Sequence, residues 1–490
     1  MDAGLDRLLA GVKRRVRMVF KSRDEFDLTS GEIGRPLFYL SVPIVVTNLL
    51  HTAYNLVDTI WLGQYSETAL AAIGMAFPLV FFLISLGLGI SIAGSILVAQ
   101  NVGAGDEDQA EFAASQTVSF AFVASVLVGG VGYFFVTDLL GLIGGPAAVV
   151  AGAAGYLRIV SAGMFFMLGF FVFMSLMRGY GDTITPMLVM FVTVFVNMLL
   201  DPFLIFGWWV FPELGIRGAA YATIFSRALA TVIGMAVMFR GNRGVKIHLR
   251  EMWPDPAYLR KILRVGVPAS IENTGNSIAV VLMLLIVTPF GETVIAAYTV
   301  GVRMFSVIFL PAIAVGRGVE TMAGQNIGAE KKDRAGAATN FAARAMFGVL
   351  AGVGVLTWLG AGNVVAVFSN DPEVVEIGRL FLRYVAPTFG FTGIVHAYKG
   401  GFRGAGKTLT AAAISITMLG VVRLPVAWVA SDALGYEGIW LAFAVSNVAG
   451  AVLGFAWYMR GTWRDVDLTD GPGVTPGPGP DPDADPEPTD

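Results

Sequence analysis

Residues 100–104 have the sequence Gln-Asn-Val-Gly-Ala, and residues 325–329 repeat it as Gln-Asn-Ile-Gly-Ala, 225 positions later. Three further motif pairs keep the same separation along the chain. They are Val42-Pro43 with Val267-Pro268, Glu67-Thr68 with Glu292-Thr293, and Arg178-Gly179 with Arg403-Gly404. Chance matches would not hold one register across four well-spaced motifs. We infer that the chain is a tandem duplication.

Each half contains six apolar stretches of about the 20 residues that a membrane-spanning helix needs. The predicted spans are 37–63, 69–99, 112–141, 150–176, 185–209, 216–239, 265–290, 293–323, 336–366, 375–401, 409–430 and 437–459. The runs are continuously apolar rather than alternating, which excludes a membrane β-barrel. We therefore predict an all-α polytopic membrane protein with twelve transmembrane helices in two pseudo-symmetric six-helix lobes.

The composition agrees with this fold class. Hydrophobic residues make up 55% of the 490 residues and charged residues only 14%, against about 25% charged in soluble proteins. A soluble enzyme, a disordered chain and a nucleic-acid binder are excluded by this balance. The chain has no cysteine and three histidines, which excludes disulfides and cysteine-based zinc sites. We expect no cofactor and no enzymatic activity.

The basic residues predict the domain organisation and the orientation. They are concentrated in the N-terminal segment 1–36 and the inter-lobe loop 241–264, whereas the loops on the opposite side contain only Arg217. The positive-inside rule then places both termini in the cytoplasm. We predict a basic N-terminal segment (1–36), a first lobe (37–240), a basic loop (241–264), a second lobe (265–460) and a disordered, acidic, Pro-rich tail (461–490). Within the N-terminal segment, residues 4–20 fit either a basic amphipathic surface helix or a simple topology signal.

An even number of spans in each half gives both halves the same orientation in the membrane. Parallel six-plus-six repeats are typical of transporters that have a central cavity between the lobes. No loop resembling a selectivity filter and no ring of charged residues is present, so a carrier is favoured over a channel.

Asp58 and Asp201 are the strongest functional candidates, because an ionisable group at membrane depth is costly and usually functional. Asn197 lies one helical turn before Asp201, and Thr223 in the sixth span falls at a compatible depth. Two carboxylates, an amide oxygen and a hydroxyl suit a proton pair or a hard cation such as sodium. The structural alternative is that both aspartates only bond to Asn and Thr to pack helices.

The repeat assigns this site to the first lobe alone. Asp58 maps onto Met283 and Asp201 onto Leu424, so the second lobe is apolar at both positions. No basic partner is visible in the first lobe near the depth of the aspartates. Two neighbouring carboxylates without such a partner favour a shared proton over a sodium ion.

Further residues of the spans are assigned by position. His51 lies on the same helical stripe as Asn55 and Asp58, so it is either a proton relay or a histidine that lines the cavity. Pro43 is a candidate hinge of the first span, although Pro268 matches it in the second lobe. Three side chains near the expected cleft could form an adaptable surface for apolar ligands or only pack helices. They are Phe166, Phe170 and Met174.

Charged residues also occur within the spans of the second lobe. Glu272 and Arg317 lie at similar depth, and we expect them to form an ion pair. Arg303 and Arg423 are basic residues in the same lobe. A basic cleft of this kind would suit the phosphate of a lipid-linked sugar.

At these residues the chain resembles the multidrug and toxic compound extrusion (MATE) family, in its DinF-like, archaeal-type branch. The resemblance covers about 37–460. Its most specific parts are Pro43, Tyr54-Asn55-Leu56-Val57-Asp58-Thr59, Gln100-Asn101-Val102-Gly103, Met177-Arg178-Gly179-Tyr180-Gly181-Asp182 and Asn197-Met198-Leu199-Leu200-Asp201-Pro202.

The resemblance implies export of amphipathic, often cationic, organic compounds in exchange for protons or sodium ions. It also implies that Asp58, Asn197, Asp201 and Thr223 form the cation-coupling site, with His51, Tyr54 and Asn55 as relay or cavity residues. A lipid-linked oligosaccharide or lipid flippase of the same superfamily is the alternative. We expect a monomer in the cell membrane whose partners are the lipid bilayer and its substrates, without nucleic acid. Protons are favoured, and sodium would bind the same four side chains.

Overall fold

The computed structural model describes residues 26–465 and Leu468, and this part of the chain is almost entirely helical. Seven helices form the first lobe. They are α1 (Gly34–Tyr65), α2 (Glu67–Ala104), α3 (Glu107–Ile143), α4 (Ala147–Ala162), α5 (Met164–Tyr180), α6 (Ile184–Phe206) and α7 (Ile216–Arg240). The predicted residues 4–20 and most of the predicted tail lie outside the described residues.

The second lobe contains more breaks. Its helices are α8 (Pro256–Val287), α9 (Glu292–Ile308), α10 (Leu310–Gly328), α11 (Lys332–Leu359), α12 (Ala361–Ala366), α13 (Pro372–Val385), α14 (Phe389–Gly404), α15 (Thr408–Ile416), α16 (Leu424–Leu434) and α17 (Tyr436–Met459). A π-helical segment, Thr417–Arg423, joins α15 to α16. Short 3-10 turns are Leu249–Met252, Thr288–Phe290, Ala386–Thr388 and Thr462–Asp465.

Polar caps fix where several helices begin. Asp106 accepts a hydrogen bond from the backbone N–H of Gln109 at the start of α3. Asp255 accepts from two backbone N–H groups at the start of α8, where Pro256 occupies the first helical position. Such caps satisfy donors that have no partner inside the helix.

Length and apolar character identify ten described helices that could each cross a membrane, or eleven if one bent pair counts as a span. The bent pair is α4 with α5, which meet at 57° around Gly163. The segment 150–176, which was predicted as one span, is therefore formed by two helices with a sharp bend between them. The predicted span 375–401 is formed by α13 and α14 with a 3-10 turn between them. It is the one predicted span outside that number, and Arg379, Arg383 and Lys399 lie within it.

Large apolar side chains cover the outside of the bundle. Phe134 is 77% exposed, Leu127 65%, Leu356 71% and Leu359 69%. Exposure of so much apolar surface is unfavourable in water, but it is favourable in contact with lipid chains. The protein is an all-α, multi-pass membrane protein.

The two lobes meet along a pseudo-symmetric interface. Gln100 Nε2 donates a hydrogen bond of 2.8 Å to the carbonyl oxygen of Gly404. Its repeat partner Gln325 donates one of 3.0 Å to the carbonyl oxygen of Gly179. Both pairs are related by the same 225-residue offset. The repeated motif therefore forms the contact between the lobes.

Glycine is required at the centre of this interface. A Cβ at Gly103 would lie 1.9 Å from the carbonyl oxygen of Gln325, and a Cβ at Gly328 would lie 1.8 Å from that of Gln100. Backbone atoms cannot move aside cheaply. The motif, which both repeats share, thus brings the backbones of the two lobes into direct contact.

Both ends of the described chain lie at this end of the bundle. The backbone N–H of Leu468 donates to Gln100 Oε1 over 3.2 Å. Near the other terminus, Arg334 of the second lobe donates to the carbonyl oxygens of Ser30 and Gly31. The described ends of the chain are therefore on the same side.

The inter-lobe loop is tied to α3 by one buried side chain. Gln116 Nε2 donates to the carbonyl oxygens of Glu251 and Trp253, at 2.5 and 2.8 Å. Gln116 Oε1 accepts from the backbone N–H of Asp255. The loop is consequently held against the end of the first lobe.

Candidate functional site

The four predicted coupling residues come together inside the first lobe. Asp58 on α1 is 2% exposed, Asn197 and Asp201 on α6 are 0% exposed, and Thr223 on α7 is 3% exposed. The carboxyl groups of Asp58 and Asp201 lie within hydrogen-bonding reach of each other. The helices α1 and α6 thus bring two carboxyl groups together in the buried interior of the lobe, and α7 adds the hydroxyl of Thr223.

Several polar atoms of this cluster form no hydrogen bond within the protein. They are Asp58 Oδ1, both carboxylate oxygens of Asp201, and the amide oxygen and nitrogen of Asn197. Buried polar atoms normally have a hydrogen-bond partner, so exceptions require an explanation. A proton or a small cation at this position would supply one.

A proline in α6 removes one backbone hydrogen bond of this helix. Pro202 follows Asp201 directly and lies inside the helix. Proline has no backbone N–H, so the carbonyl oxygen of Met198, four residues earlier, lacks its helical donor. That oxygen belongs to the residue after Asn197 in the sequence.

Tyrosine hydroxyls surround Thr223. The Tyr54 hydroxyl lies 2.8 Å from Thr223 Oγ1 and also contacts Asp58. Tyr156 on α4 reaches Thr223 from the other side. Sequence reasoning included Tyr54 but missed Tyr156, because a tyrosine in an apolar helix is common and gives no indication of which face it occupies.

The prediction that no basic residue lies near the two aspartates is wrong. Arg227 on α7 is 4% exposed and lies one helical turn after Thr223. Its guanidinium carbon lies 5.0 Å from the ring centroid of Tyr54 and 4.9 Å from that of Phe170. It is also close enough to Asp58 to interact with it electrostatically. A charged residue four positions after Thr223 was the signal that could have identified it.

His51 lies beside the site. Its Nδ1 is 3.3 Å from Asn55 Nδ2, and its ring centroid is 6.0 Å from that of Tyr54. Tyr54 in turn contacts Asp58 and Thr223. The structure therefore places the three predicted relay or cavity residues next to one another.

The predicted hinge and cleft residues lie in different surroundings. Pro43 lies within the continuous helix α1, where Thr47 Oγ1 donates to its carbonyl oxygen. Phe170 is completely buried beneath Arg227. Phe166 and Met174 border two separate cavities. The three predicted cleft residues are thus not brought together on one surface.

Apolar side chains occupy the equivalent positions of the second lobe. Met283 is buried and Leu424 is partly buried, both in the apolar core of that lobe. The adjacent Arg423 donates to Ser446 Oγ (2.8 Å) and Asn447 Oδ1 (3.0 Å). The second lobe therefore has no carboxyl group at either position, and a hydrogen-bonded arginine lies next to one of them.

The expected ion pair between Glu272 and Arg317 is wrong. Glu272 instead pairs with Lys399 Nζ and with Arg403, each at 2.6 Å. Arg317 pairs with Glu320, three residues later on the same helix, at 2.9 Å. Similar depth did not predict which faces of the helices meet.

Comparisons with known proteins recover the same duplication. The MatE family model matches residues 43–203 and again 268–429, so the two matches begin 225 residues apart. A Bacillus subtilis (strain 168) relative named "Probable multidrug resistance protein YoeA" is 30% identical over 450 residues, or 89% of this chain and 96% of the relative.

A second relative, from Shewanella oneidensis, is named "FAD transporter" and is 25% identical over 436 residues, or 89% of this chain and 96% of that protein. A solved structure described as an "outward-facing conformation of a multidrug resistance MATE family transporter" superposes with a TM-score of 0.84 at 25% identity, covering 91% of this chain and 100% of that one. The chain therefore belongs to the MatE family of multidrug and toxic compound extrusion transporters.

Proposed function

We propose that the protein exports amphipathic, often cationic organic compounds by antiport coupled to protons, and that Asp58 and Asp201 carry the coupling proton. The observation that carries this proposal is the contact between the two buried carboxyl groups. Transport of this kind requires only binding and release, so no covalent chemistry and no cofactor is involved.

A shared proton follows from electrostatics. Two ionised carboxylates in contact in a medium of low dielectric constant repel each other strongly. One proton converts that repulsion into a hydrogen bond, as in other carboxylate pairs that share a site. Loss of this proton would leave two buried charges and would favour a rearrangement that exposes them to water. The pair can therefore couple proton binding to conformation.

Arg227 fits a pair that shares one proton. Such a pair carries one negative charge, and the guanidinium of Arg227 balances it. Two ionised carboxylates with a sodium ion and Arg227 would also be neutral, so the charge balance alone does not separate the two ions. Sodium remains the alternative, because Asp58, Asn197, Asp201 and Thr223 present oxygen ligands suited to a hard cation.

Alternating access would use the interface between the lobes. The hydrogen bonds that join the lobes involve Gln100 and Gln325 at the end that carries both described chain ends. If both termini are cytoplasmic, this conformation is closed to the cytoplasm. Substrate binding from the cytoplasm would then require these contacts to separate. We expect a monomer to suffice.

The flippase alternative loses part of its support. It relied on Arg303 and Arg423 as a basic cleft for phosphate. Arg423 is only 8% exposed and donates to Ser446 and Asn447. Its charge is thus already held within the second lobe.

A second candidate cargo is anionic, for one specific reason. The buried cluster between the lobes contains Arg178, Arg317, Lys399 and Arg403 but only two acids, Glu272 and Glu320. This excess of positive charge could hold a phosphate or carboxylate of a substrate, and one relative is named an FAD transporter. Uptake of FAD and of a cationic dye, compared in the same vesicles, decides between the two cargoes.

Asparagine substitutions test the coupling proposal. Asp58→Asn and Asp201→Asn keep the size of the side chain and remove its exchangeable charge, so each should abolish uphill efflux of a cationic dye. Met283→Leu, at the repeat position of Asp58, is the matched control and should retain efflux. The measurement is dye transport in vesicles at equal protein abundance. Uphill transport retained in both Asn variants would remove these residues from the coupling role.

A further inference from the structure

A large cleft opens on the outside of the first lobe, away from the coupling site. Its volume is about 1100 Å³, and α3, α4, α5 and α7 contribute to its walls. Apolar side chains such as Ile159, Phe166 and Ile224 line much of it. Cavities of this size accommodate large organic ligands.

Two arginines from different helices meet in this cleft. Arg158 on α4 is exposed and donates a hydrogen bond to Thr137 Oγ1 at 2.9 Å. Arg217, in the first turn of α7, lies across α4 at Gly155, where a Cβ would be 3.0 Å from its Nε. Gly155 is one helical turn before Arg158, so the two side chains lie at a similar level.

Neither arginine belongs to an ion pair. In the described part of the chain, no carboxylate oxygen lies within 4.0 Å of the guanidinium nitrogens of Arg158 or Arg217. Two like charges that line one apolar cleft repel each other, and an anion bound between them would relieve that repulsion. Such residues therefore point to an anionic ligand.

The bend between α4 and α5 shapes the cleft. The two helices meet at 57° at Gly163, where a Cβ would lie 2.5 Å from Ile224 Cδ1. The bend turns α4 away from the path of a straight span and leaves apolar walls below the arginines. Because Arg217 lies at the very start of α7, the charged level is near the end of the membrane span.

We propose that this cleft binds one anionic phospholipid, with its phosphate on Arg158 and Arg217 and its acyl chains against Ile159, Phe166 and Ile224. Charge complementarity identifies the headgroup, and the apolar walls identify the chains. With both termini in the cytoplasm, the lipid would belong to the outer leaflet. This site is separate from the proposed coupling site, and its occupancy does not depend on which ion is transported.

The test is lipid binding by the purified full-length protein. Phosphatidylglycerol or phosphatidylcholine is added to detergent-solubilised protein, and the thermal unfolding midpoint and the amount of co-purified lipid are measured. The wild type should be stabilised by phosphatidylglycerol and much less by phosphatidylcholine. Arg158→Gln with Arg217→Gln should weaken phosphatidylglycerol binding roughly thirtyfold, at about fivefold for each basic residue near an anionic lipid surface.

Two further variants keep the test decisive. Ala162→Phe fills the cleft, retains both arginines and should also abolish the stabilisation. Arg240→Gln removes an exposed arginine at the far end of α7 and should bind like the wild type. Equal stabilisation by both lipids, or unchanged phosphatidylglycerol binding in the double Gln variant, would overturn the proposal. Binding retained in Ala162→Phe would exclude this cleft as the place where the acyl chains lie.

Discussion

A buried arginine, Arg227, lies beside the carboxylate pair of the first lobe. Its guanidinium lies between the rings of Tyr54 and Phe170 and close to Asp58. A buried charge of this kind is costly unless its surroundings compensate for it. The aromatic faces and the nearby carboxylate together provide that compensation. The site therefore consists of two acids and one fixed base.

Substitution of Arg227 should impair both stability and transport. Arg227→Gln removes cation–π contacts worth about 2 kcal/mol when desolvated, together with the charge beside Asp58. We expect a lower unfolding midpoint and at least tenfold slower dye efflux. Arg227→Lys keeps the charge without the planar stacking, so it should recover part of the efflux.

Arg423→Gln is the matched control for that experiment. Arg423 is a buried arginine of the second lobe, 4.2 Å from the ring centroid of Phe443. Its loss should lower stability and leave ion-coupled efflux per folded molecule intact. Equal loss of coupling in both Gln variants would contradict a special role for Arg227.

The sequence could predict Asp58, Asn197, Asp201 and Thr223 because charge at membrane depth is rare and therefore informative. Tyr156 could not be predicted in this way. Its importance depends on the rotation of α4, and a tyrosine in an apolar helix is compatible with any rotation. Glu272 shows the same limit. Its depth could be estimated, but the choice of Lys399 and Arg403 over Arg317 depends on which helix faces meet.

At the scale of the helices, the departures from the predicted spans occur at breaks in otherwise apolar runs. Hydropathy detects an apolar run but not a bend within it, so α4 and α5 were predicted as one span. The same applies to α9 and α10, which are separated at Phe309 within the predicted span 293–323. The span 375–401 contains Lys399, which binds Glu272, and Arg403, the other base that binds Glu272, lies two residues beyond it.

The motif that brings α2 and α10 together provides a test at this scale. Gly103→Ala would place a Cβ 1.9 Å from the carbonyl oxygen of Gln325 and should favour separation of the lobes. A cysteine at Ala99, which is buried and faces Gly324 of the second lobe across this interface, should then react at least tenfold faster with a thiol reagent. The chain has no native cysteine, so the labelling is specific.

Gly74→Ala on the same helix is the control, because a Cβ there meets nothing within 4 Å. It should leave the labelling rate unchanged. Gly328→Ala, the repeat partner of Gly103, should behave like Gly103→Ala. Unchanged labelling in both interface variants would show that this contact does not separate.

At the scale of the whole molecule, duplication has preserved the scaffold while the interiors of the lobes diverged. Gln100 and Gln325 make equivalent hydrogen bonds across the interface. Asp201 corresponds to Leu424, which follows the hydrogen-bonded Arg423. A repeat in the sequence could predict the shared scaffold and the altered polarity. It could not predict at which end the lobes are in contact, because two conformations of one transporter share one sequence.

We propose that a proton on the carboxylate pair of Asp58 and Asp201 drives export. The most direct measurement is dye uptake into sodium-free inside-out vesicles with an acidic lumen. The account predicts uptake that follows the pH gradient, stops when the gradient is collapsed and is absent in Asp58→Asn. Uptake that ignores the pH gradient and follows only a sodium gradient would contradict it and would make the four-residue cluster a sodium site.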